Sequence, residues 1–154
     1  MKKTFTILFT IICATFFASG QSNNEKLYRA IVNNDTALVK QLLDNKADPN
    51  FVIAQGPWMK VNMLITAVVN SGNIEIVKML IANKADVKWK DGFKTTALMY
   101  AASSGNKEIV VLLLDNGADI NDKDEQGNNV LSSAKESKND ELIKFIENKL
   151  NEKK

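Results

Sequence analysis

The fold of this chain follows from one stretch, Thr96–Asn121, which reads TALMYAASSGNKEIVVLLLDNGADIN. Its first part carries apolar residues at helical spacing and ends at Gly105, which favours a turn. Asn106 then supplies a side chain that caps a second helix by accepting a backbone N–H. The run 109–114 is apolar on nearly every side, so the second helix is predicted to lie between neighbouring elements, and Gly117 ends it.

The same pattern recurs along the chain at a spacing of 33 residues. The matching positions include turn glycines, helix caps and an Ala-Asp dipeptide: Gly72 with Gly105, Asn73 with Asn106, Val77 with Val110, Leu80 with Leu113 and Ile146, and Ala85-Asp86 with Ala118-Asp119. An earlier copy lies 38 residues upstream, where Asp35 matches Asn73 and Ala47-Asp48 matches Ala85-Asp86. A period of this length is typical of stacked repeats. Four units are therefore predicted, at approximately 23–59, 60–90, 91–123 and 124–154.

Each unit is predicted to form two short helices joined by a turn, giving an all-α solenoid of helix-turn-helix units with short turn or hairpin tips. The predicted helix pairs are 25–33 with 35–45, 63–71 with 74–83, 96–104 with 106–116, and 129–137 with 139–150. Because no unit buries its apolar face alone, stability is expected to come from stacking, with units one and four as end caps.

These motifs resemble the ankyrin repeat over approximately 23–151. Thr96–Ala102 is similar to the family's Thr-Pro-Leu-His-x-Ala-Ala, and Gly117–Asn121 is similar to the motif that follows the second helix. The resemblance implies a non-enzymatic module that binds a partner protein through its turn tips and the exposed face of the first helices. Partner-binding positions implied in this way are Val52, Asn70, Ser71, Trp89, Lys90, Phe93, Ser103, Ser104 and Gln126.

Several residues depart from the family pattern. Lysine occupies glycine positions at Lys46, Lys84 and Lys94. A left-handed conformation at Lys46 and Lys84 is expected to cost about 1 kcal/mol each, unless Asn45 and Asn83 adopt that geometry instead. Met63-Leu64-Ile65 is taken to replace Thr-Pro-Leu in the second unit, which weakens that helix start.

The segment Phe51–Met59 is an insertion between the first two units, and it is unusually apolar for a connection. One interpretation makes Trp58 part of an aromatic binding patch with Trp89 and Phe93. The other folds Phe51, Ile53 and Trp58 back over the first unit as a lid. An alternative function for the chain is binding of an apolar small molecule or peptide at this loop. Met99 and Tyr100 are interpreted as packing residues.

The first twenty residues differ from the repeats. Lys2 and Lys3 precede an apolar run from Thr4 to Phe17, and Ala18-Ser19-Gly20 provides a small-residue cleavage site before Gln21. This layout predicts a secretory signal peptide over 1–20, followed by an ankyrin-repeat domain over 21–154 in the periplasm or outside the cell. Two alternatives are an uncleaved membrane anchor and a lipoprotein, although Cys13 follows Thr10-Ile11-Ile12 rather than the usual lipoprotein motif.

The mature chain offers little material for catalysis. The chain has 20 basic and 18 acidic residues, and two of the basic residues precede Gln21, so the mature net charge is near zero. No nucleic-acid partner is therefore predicted. Histidine is absent, and Cys13 is the only cysteine. The chain is therefore predicted to be a monomer that has no enzymatic activity and holds no cofactor or metal. It is also predicted not to insert stably into a membrane after cleavage.

A calcium loop is the one metal alternative. Asp122, Asp124, Gln126 and Gly127 have the spacing of the start of such a loop. Ser133 stands where the loop needs a bidentate glutamate, so capping and turn formation are the favoured roles of these carboxylates.

Overall fold

The computed structural model describes residues 23–54, 56 and 60–152. Helix α1 covers 23–32 of this part. It is followed by α2 Thr36–Asp44, β1 Val52–Ala54, β2 Lys60–Asn62, α3 Met63–Asn70, α4 Ile74–Ala82, α5 Ala97–Ser103, α6 Lys107–Asp115, α7 Val130–Glu136 and α8 Asp140–Asn151. Each predicted helix pair is confirmed, with ends within two residues of those expected. The predicted signal peptide and Trp58 lie outside the described residues.

The helices stack in two layers. The first helices of successive units pack on one another, α3 on α5 and α5 on α7, while the second helices pack in the order α2, α4 and α6. One continuous apolar core runs from Leu27 to Ile146. The repeated second-helix position, held by Leu80, Leu113 and Ile146, is fully buried in each unit. Within the described residues, no helix is long and apolar enough to cross a bilayer.

Asparagines at the start of the second helices link each unit to the one before it. The Oδ1 atoms of Asn73, Asn106 and Asn139 accept backbone N–H bonds from their own helices, which confirms the predicted caps. The Nδ2 of Asn73 donates to Oδ1 of Asn34 at 2.7 Å, and the Nδ2 of Asn139 donates to the Gly105 carbonyl at 3.0 Å. Asparagine at this position therefore satisfies a backbone N–H group at the start of its own helix, and it also joins the turn of the preceding unit by a hydrogen bond.

The tips of the units are hairpins of different length. Strands β1 and β2 pair antiparallel, with Ile53 opposite Val61. The next two tips contain single bridges, Lys90 with Thr96 and Lys123 with Asn129. The first of these tips thus has three paired residues on each strand, where each of the other two has one bridge.

Three lysines at glycine positions of the family pattern have a left-handed backbone conformation. At two of these positions the sequence pattern had left open whether lysine or the preceding asparagine adopts it. Lys46 has φ 64°, Lys84 has φ 73° and Lys94 has φ 60°. The alternative that Asn45 and Asn83 take this geometry is wrong, because their φ angles are −84° and −89°. Each asparagine is the C-cap of its helix and lies one residue before the left-handed position.

We expect Lys84→Gly to raise the free energy of unfolding by about 1 kcal/mol, because glycine adopts positive φ without the clash of a Cβ atom. Chemical denaturation of the single variant measures the change. Asn83→Gly is the matched control, since it places glycine at a negative φ, and it is expected to destabilise the fold slightly. Equal stabilisation by both substitutions would contradict the assigned geometry.

The start of the second unit requires a correction. Asn62, rather than Met63, stands at the threonine position of the family motif: its Oδ1 accepts from Ile65 N at 2.9 Å, as Oγ1 of Thr96 accepts from Met99 N at 3.3 Å. The helix start is therefore capped and not weakened. Helix α3 has eight residues where α5 has seven. Counted from the caps, Val69 matches Ser103 and not Ala102, and it is 56% exposed.

Candidate partner-binding surface

A buried carboxylate shapes the tip of the third unit. Asp91 is only 6% exposed, and its Oδ1 accepts backbone N–H bonds from Phe93 at 2.8 Å and Thr95 at 2.9 Å. Its Oδ2 accepts the hydroxyl of Tyr100 at 2.7 Å. Burial of the phenol, together with this hydrogen bond to Asp91, raises the pKa of Tyr100 to about 12. The tip is therefore held to the first helix by a neutral tyrosine and presents its outer residues on a fixed backbone.

Asp124 plays the same part in the tip of the fourth unit. Its Oδ1 accepts from Gln126 N at 2.9 Å and Asn128 N at 2.8 Å, and its Oδ2 accepts from the Asn128 amide. These hydrogen bonds, led by that of the Asn128 side chain, lower the pKa of Asp124.

The carboxylates named in the calcium alternative have partners within the protein. Both oxygens of Asp124 are taken by the turn, and Asp122 pairs with Nζ of Lys90 at 2.6 Å. In the described ranges, no group of three or more acidic, histidine or cysteine side chains is placed to hold a metal ion.

The tips of the third and fourth units join into one surface. Glu125 N donates to the Phe93 carbonyl at 3.0 Å, and Lys94 lies 3.9 Å from the Glu125 carboxylate. A cleft of about 320 Å³ lies at this junction, and its lining residues are Phe93, Thr95, Asp124, Glu125 and Gln126. Phe93 is 45% exposed, one of the largest exposed apolar side chains of the described residues. Two predicted positions, Phe93 and Gln126, are thus brought together beside a carboxylate.

Trp89 does not share the exposure expected of it. Its side chain is half-buried and packs against the apolar core. Removal of this side chain is therefore expected to lower the stability of the fold. Lys90 is exposed, and its ammonium group is held by Asp122 of the following unit.

The long hairpin divides its apolar residues between two sides. Phe51 and Ile53 are half-buried and pack against the core, which supports the lid interpretation for these two side chains. Val52 points outward and is exposed, as predicted for a tip position. Alternation along the strand explains the division, because successive side chains lie on opposite faces.

The ends of the first helices are less free than predicted. The hydroxyls of Ser71 and Ser104 donate to the carbonyls of Ala67 and Ala101, at 3.1 and 3.0 Å. Both serines therefore help to end their own helices, a role that the sequence pattern did not reveal.

Ser103 donates to Oε2 of Glu136 at 3.1 Å, which joins α5 to α7. Asn70 is exposed and donates to the Thr66 carbonyl. Val69, which was not among the predicted binding positions, is the most exposed large apolar side chain of this face. Counting residues from the cap at Asn62 to the turn at Gly72 would have found it.

The comparison with protein families agrees with this architecture. A family model described as ankyrin repeats (3 copies) matches residues 27–124 and, in an overlapping alignment, residues 64–153. No curated protein matches the chain.

Proposed function

The chain belongs to the ankyrin-repeat family, and from this premise we propose that it is a non-enzymatic module of the bacterial cell envelope that binds one partner protein. Ankyrin repeats are generally protein–protein interaction modules. The proposed contact surface consists of the unit tips and the exposed ends of the first helices. The observation that carries the proposal is the exposed Phe93 ring at a cleft whose backbone is held by the buried Asp91.

Phe93 has the properties of an interface anchor. An exposed aromatic side chain contributes apolar area on binding while losing little conformational freedom. The polar neighbours Glu125 and Gln126 provide the rim that typically surrounds such an anchor. Because the tip is already ordered by hydrogen bonds, binding requires little further ordering of the backbone.

A crosslinking pull-down from an envelope extract, read by mass spectrometry, tests this function. We expect the mature chain to capture one enriched protein at near-equimolar amount, and to capture it less well when Phe93 is replaced by alanine. Melting shifts produced by small apolar ligands, with no protein captured, would support the rival ligand-binding function instead.

Export is the second part of the proposal. The charged start, the apolar run and Ala18-Ser19-Gly20 favour cleavage before Gln21. N-terminal sequencing or intact mass of the protein from the envelope fraction is expected to show a chain that begins at Gln21. A cytoplasmic chain that retains Met1 would contradict export.

A further inference from the structure

A second surface lies along helix α6, on the layer of second helices. A groove of about 370 Å³ is lined by Lys107, Glu108, Val111, Leu112 and Asp115 of this helix and by Ile74 of α4. Val111, Leu112 and Ile74 are half-buried and form its apolar floor. The groove is separate from the tip cleft, with which it shares no lining residue.

The charged side chains around this groove differ in whether they have a salt-bridge partner. Lys107 is neutralised by Glu141 of α8, at 2.7 Å, and Lys78 is neutralised by Glu75, at 2.8 Å. The side chains of Glu108 and Asp115 are exposed, and neither has a hydrogen-bond or salt-bridge partner among the described residues. The hydrogen bond and charge of Glu75 raise the pKa of Lys78, and Glu108 adds only a smaller contribution. Within the described part of the chain, two carboxylates therefore flank the apolar floor without a salt bridge of their own.

Their spacing selects the shape of an occupant. Glu108 and Asp115 are seven residues apart on one helix face, about 10 Å along its axis. A second helix lying along the groove repeats its own face after the same seven residues. An extended strand covers this distance in about three residues, which places the two matching side chains on opposite faces.

We infer that the α6 groove binds a helical segment of a partner protein that presents apolar residues flanked by Lys or Arg side chains seven residues apart. The apolar residues cover Val111 and Leu112, and the two cations pair with Glu108 and Asp115. This interaction is independent of the tip cleft, so a chain that fails to bind at Phe93 still binds such a segment.

Two synthetic helical peptides test the inference on the full mature chain. Both carry the same leucine face, and the flanking positions seven residues apart hold Lys in one peptide and Glu in the other. We expect the Lys peptide to bind, and to bind about tenfold more weakly to the Glu108→Gln, Asp115→Asn double variant. The charge-reversed variant, with Glu108→Lys and Asp115→Lys, is expected to prefer the Glu peptide.

The matched control neutralises Asp140 and Glu147, two exposed carboxylates of α8 that are also seven residues apart and do not line the groove. Asp140→Asn with Glu147→Gln is expected to leave affinity for the Lys peptide unchanged. Equal binding of the two peptides, or equal loss in the control variant, would overturn the inference. Dimerisation of the wild-type chain that the groove substitutions abolish would assign the groove to a second copy and would also overturn it.

Discussion

Leu113→Ala is expected to lower the free energy of unfolding by about 2–5 kcal/mol. The side chain is 0% exposed and lies at the repeated core position of α6, between the helices of neighbouring units. Truncation removes buried methyl groups and leaves a cavity that the stacked helices close only in part. Because a domain of this size is stable by only about 5–15 kcal/mol, urea or thermal denaturation measures the loss easily.

Val69→Ala is the control for this substitution. Val69 is 56% exposed on α3, so its truncation is expected to change stability by about 0.5 kcal/mol or less. If the two variants unfold alike, or if Leu113→Ala melts as the wild type does, the assigned register of α6 is wrong.

Phe93→Ala is expected to weaken the complex with the partner protein by about 2 kcal/mol, which is about 30-fold in Kd. The ring is 45% exposed at the tip cleft, so the fold loses little apolar contact while the interface loses its anchor. Isothermal titration with the captured partner measures the affinity, and a parallel melting curve is expected to match that of the wild type.

Trp89→Ala is the comparison for Phe93→Ala, because Trp89 is also aromatic but is less exposed. Because this side chain packs against the core, its truncation is expected to lower stability more than Phe93→Ala does. If the Phe93→Ala variant binds the partner with wild-type affinity, the tip is not part of the interface. The first-helix face of Val69, Asn70 and Ser103 would then be the next candidate.

Much of the fold was predictable because its determinants are local and periodic. Asn73, Asn106 and Asn139 mark helix starts by the chemistry of their own side chains, and the 33-residue period then places the buried positions between them. The period also locates the turns that hold Lys46 and Lys84, but it did not decide whether lysine or the preceding asparagine adopts the left-handed conformation.

The surface was less predictable, because exposure depends on contacts distant in sequence. The burial of Trp89 follows from core residues of other elements, which the period does not report. The exposure of Val69 was missed because a constant offset of 33 aligns it with the buried Ala102, whereas the helix caps align it with Ser103. Tyr100 was predicted to pack, but its hydrogen bond to Asp91 was not foreseen.

Site-specific photocrosslinking tests the central claim most directly. A photoreactive residue placed at Gln126 lies on the tip surface, and one placed at Glu147 lies on the exposed face of α8, outside the proposed contact surface. Irradiation of envelope extracts is expected to join the same single protein to the chain at position 126 and to give no such adduct at position 147. An adduct of equal yield at both positions, or at 147 alone, would contradict partner binding through the tips.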